Sequence, residues 1–210
     1  DIRDSLFAGK PCSVFFDRSM KEAVEQVEGV ERVSGQMYVG TLSASCCSLP
    51  VQMIAFDPET DFVVQPWLKN QNAVRLETGQ VLVGSSVVAE PGETLQFYST
   101  DFQVAGKLER TGMGYDSSVF MTFESLYELK NSETAMNNLP MEDIENKLSM
   151  LMVDIRDDIK DLDLIHLRLD IAKCGPEGEK MYAGSTDELL SGVSSQVKKL
   201  SGYGNILTYI

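Results

Sequence analysis

The chain is poor in the residues that most chemistry requires. It has one histidine, His166, one tryptophan, Trp67, and four cysteines, Cys12, Cys46, Cys47 and Cys174. No two cysteines stand in CxxC spacing, so zinc-ribbon and thioredoxin-like readings have no support. A lone histidine with no neighbouring ligand in sequence cannot build a His-rich metal site. No GxSxG surrounds any serine, which removes the usual nucleophile elbow. No GxxxxGK[ST] occurs, so the chain cannot cradle nucleotide phosphates in that way. Basic residues are also scarce, 18 against 32 acidic, for a net charge of -14. Such a surface repels nucleic-acid backbones and anionic lipid. Every apolar run falls far short of the roughly 20 residues of a membrane helix.

What is present is an ordinary globular composition, 43% hydrophobic and 24% charged, over 210 residues. That length suits one large or two small domains with a core that needs neither metal nor disulfide. The chain opens on Asp1-Ile2 without Met and closes on Leu207-Thr208-Tyr209-Ile210, and the expectation is a piece excised from something longer.

The stretch from Ser45 to Trp67 organises the rest. It joins two adjacent cysteines, an apolar strand, an Asp57-Pro58 turn and the only tryptophan. Before it, 12–16 reads as a strand, and Asp17 caps a helix carrying Met20, Ala23, Val24 and Val27, which Gly29 stops. Residues 30–42 alternate as a strand, with Val33, Gly35, Met37, Val39 and Thr41 on one face and Ser34, Gln36, Tyr38 and Gly40 on the other. With 51–56 it forms a hairpin whose tip holds Cys46 and Cys47. Thr60 or Asp61 caps a short helix running to Trp67.

Beyond a polar connector at 69–73, strands are expected at 80–84, 94–98, 102–108 and 119–123, and a short helix at 124–130. The glycines of 111–116 mark a mobile loop, and 131–140 is a polar loop. Residues 148–155 fit a strand buried on both faces. Residues 157–174 form a helix ending at Lys173-Cys174-Gly175-Pro176. A short strand at 180–184 precedes a capping box, Ser185 and Glu188, and a last helix carrying Leu189, Leu190, Val193, Val197 and Leu200.

In this order the segments resemble the extracytoplasmic domain of FtsX-like, MacB-type ABC transporter permeases. Residues 27–36 are similar to that family's helix-to-strand entry, with Glu28 where proline is usual. Residues 51–57, then Pro58, Phe62 and Trp67, look like its next strand and turn. Residues 80–86, 102–108 and 118–129 resemble the strands of its insert, and 149–154 and 189–196 its closing strand and last helix. The resemblance implies an α+β fold: a porter-like split βαβ lobe from both chain ends, residues 1–68 plus 147–210, with an inserted small β-rich, sabre-like lobe at 74–140 held apart from it. It implies a non-catalytic domain outside the cell membrane, with no cofactor. The expected partners are the permease's flanking membrane helices, a separate cytoplasmic ATPase and a sister permease. The family's domains move with ATP-driven helix motion, and Gly112 and Gly114 fit a mobile insert.

Cys46 and Cys47 depart from the family's better-known efflux members, and three readings compete. They are structural thiols at a hairpin tip; or they are oxidised, to each other or with Cys12 or Cys174; or they serve soft-metal or redox exchange, which makes the alternative function a redox or metal-handling module. Met150 and Met152 sit at strand spacing, which favours core packing over a copper path. Asp57, Glu59 and Asp61 read as turn chemistry rather than a calcium loop. Trp67 is expected to be buried at a seam.

Overall fold

The computed structural model describes residues 5–6, 9–10, 14–41, 47–68, 75–138, 143–175, 183–185 and 206–209. The strands are β1 (Phe16–Asp17), β2 (Val30–Gly40), β3 (Gln52–Phe56), β4 (Gln80–Val83), β5 (Thr94–Phe97), β6 (Thr100–Lys107), β7 (Ser118–Thr122), β8 (Lys147–Leu148), β9 (Met150–Ile155), β10 (Ala183–Ser185) and β11 (Ile206–Tyr209). The helices are α1 (Ser19–Glu25), α2 (Phe123–Lys130), α3 (Glu133–Asn138) and α4 (Asp161–Ala172). The fold is α+β. No helix of the described residues is long and apolar enough to cross a membrane.

Nine strands form one mixed sheet in the order β10-β11-β9-β2-β3-β7-β4-β6-β5, and β1 pairs separately with β8. Two neighbouring pairs are parallel, β3 with β7 and β4 with β6. The other pairs are antiparallel. The segments at the two chain ends supply β10, β11, β9, β2 and β3, and the intervening segment supplies β7, β4, β6 and β5. The intervening segment was expected to stand apart as its own lobe. It instead continues the sheet, because five residues of β3 pair in register with five of β7, from Gln52 with Ser118 to Phe56 with Thr122.

The two-residue period of a strand sends alternate side chains to opposite faces, and here both faces are dry. Val33, Met37, Val39, Met53, Ala55, Val81, Val83, Val119, Met121, Leu151 and Val153 share one core with Met20 and Val24 of α1, Phe123, Leu126 and Leu129 of α2, and Leu167 and Ile171 of α4. Tyr38, Ile54, Phe56, Leu82, Phe120, Met150 and Met152 share the other with Leu6 from a helical stretch at 5–6 and with Val63, Val64, Leu68, Leu108 and Tyr115 from turns, a bridge and a 3-10 helix. Helices α1–α4 therefore cover the first face, and mostly irregular chain, with the helical stretch at 5–6, covers the second.

Local chemistry explains three element starts. Asp17 Oδ1 accepts from the Ser19 N–H at 2.9 Å and starts α1. The Thr122 hydroxyl caps α2 by accepting from Ser125 N–H at 3.1 Å. Asp61 accepts from the N–H groups of Val63, Val64 and Gln65, which sets up a single 3-10 turn over Gln65–Trp67.

Two expectations differ from what is observed. Residues 133–138, read as loop, form α3; Ser132 Oγ accepts from Ala135 N–H and caps it, and Ala135 is fully buried. The loop 111–116, read as mobile, is tied down. The Asp116 carboxylate accepts from Thr111 N–H, Thr111 Oγ1 and Gly112 N–H at 2.7–2.9 Å, and Thr111 and Tyr115 are buried. The strand near 180–184 is described only from Ala183 to Ser185. The helix expected over 189–200 lies outside the described residues.

Candidate functional site

The hairpin tip was the first candidate site. Cys12 and Cys46 lie outside the described residues. Cys47 is half-buried against the first core. Its Sγ accepts from Tyr98 N–H at 3.4 Å. Ser48 N–H donates to Gln96 O at 2.7 Å, and Gln96 N–H donates back to Ser48 Oγ at 2.8 Å. Residues 47 and 48 thus lie against the far edge strand, β5, and the turn after it. Tyr98 and Ser99 form the two-residue turn between β5 and β6 with φ of 49° and 63°. Both occupy the left-handed region that a type I′ hairpin demands and that glycine or asparagine usually fills. Tyr98 is held there by burial and by its hydroxyl, which donates to Gly40 O at 2.7 Å. Cys47 therefore packs and accepts at the point where the two hairpins meet.

Cys174 sits just past α4 and donates weakly to Asp170 O at 3.5 Å. Burial, with Asp170 adding to it, raises its thiol pKa, the opposite of what a reactive thiol requires. Cys47 and Cys174 are not joined to one another. No group of three His, Cys, Asp or Glu side chains among the described residues is placed to hold a metal ion. His166 is exposed on α4, and Met150 and Met152 are buried in the second core. Asp57 closes its own turn, accepting from Glu59 N–H and Thr60 Oγ1. Asp61 is half-buried, and desolvation raises its pKa despite the three N–H groups it accepts. Trp67 is half-buried beside the second core, and its carbonyl accepts from Glu109 N–H at 2.6 Å, tying the turn after β3 to the end of β6.

A concavity among the described residues lies elsewhere. A groove of about 450 Å³ opens over the carboxyl ends of β3 and β7, lined by Arg18, Asp57, Pro58, Glu59, Arg75, Leu76, Thr122, Phe123, Glu124 and Tyr127. Arg18 is fixed on one wall. Its Nη1 donates to the Tyr127 hydroxyl at 2.8 Å and to Glu145 O at 3.3 Å, and its guanidinium lies 4.7 Å from the centre of the Phe123 ring. Partial burial raises the Tyr127 pKa against the opposing pull of Arg18, so the phenol stays a neutral donor and acceptor. A second hollow of about 120 Å³ adjoins it through Arg18, Asp57 and Phe123 and adds Lys21. Sequence reading did not single out Arg18 or Arg75. They stand far apart in the chain, and only the tertiary fold brings both to one groove.

No family model matches the chain, and no curated protein matches it. Solved structures do. The extracellular domain of the noncanonic ABC-type transporter YknZ from Gram-positive bacteria is similar, with 12% identity and a TM-score of 0.48 over 80% of this chain and 89% of that one. The periplasmic region of MacB from Actinobacillus actinomycetemcomitans is similar too, with 12% identity and a TM-score of 0.49 over 75% of this chain and 73% of that one. Both TM-scores lie under 0.5, so neither likeness carries the functional reading.

Proposed function

We propose that this chain is the extracytoplasmic domain of an FtsX/MacB-type ABC transporter permease, without catalysis of its own. It couples the motion of flanking membrane helices, driven by a separate cytoplasmic ATPase, to transport or to an exported partner, and it works beside a sister permease. The observation that carries the reading is the way the chain returns on itself. Strand β9 follows the whole intervening segment, yet it pairs with β2, and β11 from the far end pairs with β9. Strands that come before and after the intervening segment thus share one layer, an arrangement that suits a domain inserted between two membrane spans. The order of sequence features across 27–36, 51–67, 80–86, 102–108, 118–129 and 149–154 supports the same family, and residues 74–140 are its insert.

The test is made on the full-length parent protein. An epitope placed at the exposed Gly92 turn should be cleaved by protease added outside intact cells, and a nucleotide-hydrolysing subunit should co-purify with the parent. An epitope protected in intact cells, or a parent with no apolar span on either side of this segment, would contradict the reading.

A further inference from the structure

The groove over the ends of β3 and β7 carries a pair of guanidinium groups that the rest of the molecule leaves open. Acids outnumber bases in this chain, and six of the described cations take a carboxylate: Lys21 with Glu25, Arg32 with Asp154, Lys107 with Glu90, Lys130 with Glu145, Arg156 with Asp158 and Lys173 with Asp170. Arg18 and Arg75 line one groove and, among the described residues, neither forms an ion pair. Arg18 spends Nη1 on Tyr127 and Glu145, which locks the side chain in place and leaves Nε and Nη2 as donors. A guanidinium held in one position with two N–H groups in hand is prepared for bidentate contact with a carboxylate. Arg75 is exposed and lines the same groove beside the buried Leu76.

The groove also excludes some anions. Glu59 and Glu124 are exposed on its rim, and Asp57, committed to its own turn, adds a third negative charge. Three carboxylates repel a phosphate or any polyanion, while a ligand with one carboxylate and one ammonium meets complementary charge at both ends. Pro58, Leu76 and Phe123 give the lining an apolar part. The volume falls within the range of small-ligand pockets, and the location, outside the carboxyl ends of neighbouring parallel strands, is where sheets of this kind offer a crevice.

We infer that this groove binds a short peptide with free termini, its carboxylate held by Arg18 and Arg75 and its ammonium directed to Glu59 and Glu124. The inference is independent of the permease reading, since it depends only on the groove.

The test is a titration of the isotopically labelled chain with tri-L-alanine, followed by amide chemical shifts. In parallel, the chain is titrated with N-acetyl-tri-L-alanine amide, which lacks both charges, and with inorganic phosphate. Free tri-L-alanine should give saturable shifts at Thr122, Phe123, Glu124 and Leu76 with a Kd of about 1 mM, and the blocked peptide and phosphate should give none there. Arg75→Gln, at an exposed position, should weaken binding about tenfold with the spectrum otherwise intact. Arg18→Gln should do at least as much; should it unfold the chain, Arg75→Gln alone decides. Equal shifts with the blocked peptide, stronger shifts with phosphate, no saturation with the free peptide, or unchanged affinity in Arg75→Gln would each overturn the assignment.

Discussion

The two faces of the sheet are made by the same strands and are covered by different material. On the first face, α1, α2 and α4 lay down side chains from elements that satisfy their own backbone polar groups, so the layer is almost wholly aliphatic and aromatic. On the second face the cover is a helical stretch at 5–6 and mostly irregular chain from 61–68, 108 and 115, and polar groups go inside with it. Gln36 Oε1 accepts from the hydroxyls of Tyr38 and Tyr115 at 3.1 and 2.9 Å, and Ser5 Oγ donates to Gln52 Oε1 at 3.0 Å. Burial holds the Tyr115 phenol far above its ordinary pKa, so it acts only as a neutral group. Gln36 Nε2 and Ser34 Oγ are buried with no protein partner. A helical cover tolerates substitution by volume. A loop cover depends on individual hydrogen bonds and on room for backbone.

That difference predicts where single changes hurt most. The largest effect is expected at Gly114. A Cβ there would stand 1.9 Å from Ser5 O, 2.7 Å from Gly9 N and 2.9 Å from Leu6 O, all backbone atoms with nowhere to move. Gly114→Ala should cost roughly 4 kcal/mol and lower Tm by about 10 °C, read by thermal unfolding. A loss under about 1 kcal/mol would show that the loop cover gives way as easily as a surface.

Next come Phe120 and Met121, adjacent on β7, fully buried and pointing to opposite faces. Phe120 stands edge-on to Phe56 and Tyr115 at 6.4 and 5.2 Å between centroids. Phe120→Ala should cost about 4 kcal/mol and Met121→Ala about 3 kcal/mol, measured by denaturant unfolding. The comparison fails if either is tolerated, since each face would then cease to be a core.

The smallest effect concerns pH. Asp61 has a folded pKa above its ordinary value of 3.8 because desolvation outweighs the N–H groups it accepts. A carboxylate shifted upward binds its proton more tightly in the folded state. Its contribution is therefore fully present below 3.8 and is lost as pH rises through the raised folded value. Asp61→Asn keeps one acceptor oxygen and removes the titration. The stability of the parent relative to the variant should fall as pH rises through that window and be flat above it. A difference that grows with rising pH would reverse the assigned cause.

Much of the two-faced sheet was legible from alternation. In β2 the sequence sets Val33, Met37 and Val39 against Ser34, Gln36 and Tyr38, and the structure sends those sets to opposite cores. Helices were legible at 124–130 and 157–174, the second from its stop at Lys173-Cys174-Gly175-Pro176, and the structure has them over Phe123–Lys130 and Asp161–Ala172. Residues 133–138 were not, because Asn137 and Asn138 are weak helix formers and the stabilising contacts are tertiary: Ala135 in the core, and Ser132 Oγ bridging to Tyr98 O. The loop at 111–116 misled because its two glycines suggest freedom. Here Gly112 supplies a φ of 77°, Gly114 supplies space, and Asp116 fastens both. The Arg18–Arg75 groove was illegible because no local pattern records which strands will lie side by side.

The central claim is that the chain ends and the intervening segment share one continuous sheet, joined at β3 and β7. Native-state hydrogen exchange tests it most directly. Amides paired between β3 and β7 should open with the same free energy, and the same denaturant dependence, as amides paired between β2 and β9. Exchange of residues 80–122 as a separate, less stable cooperative unit, with β2 and β9 still protected, would contradict it.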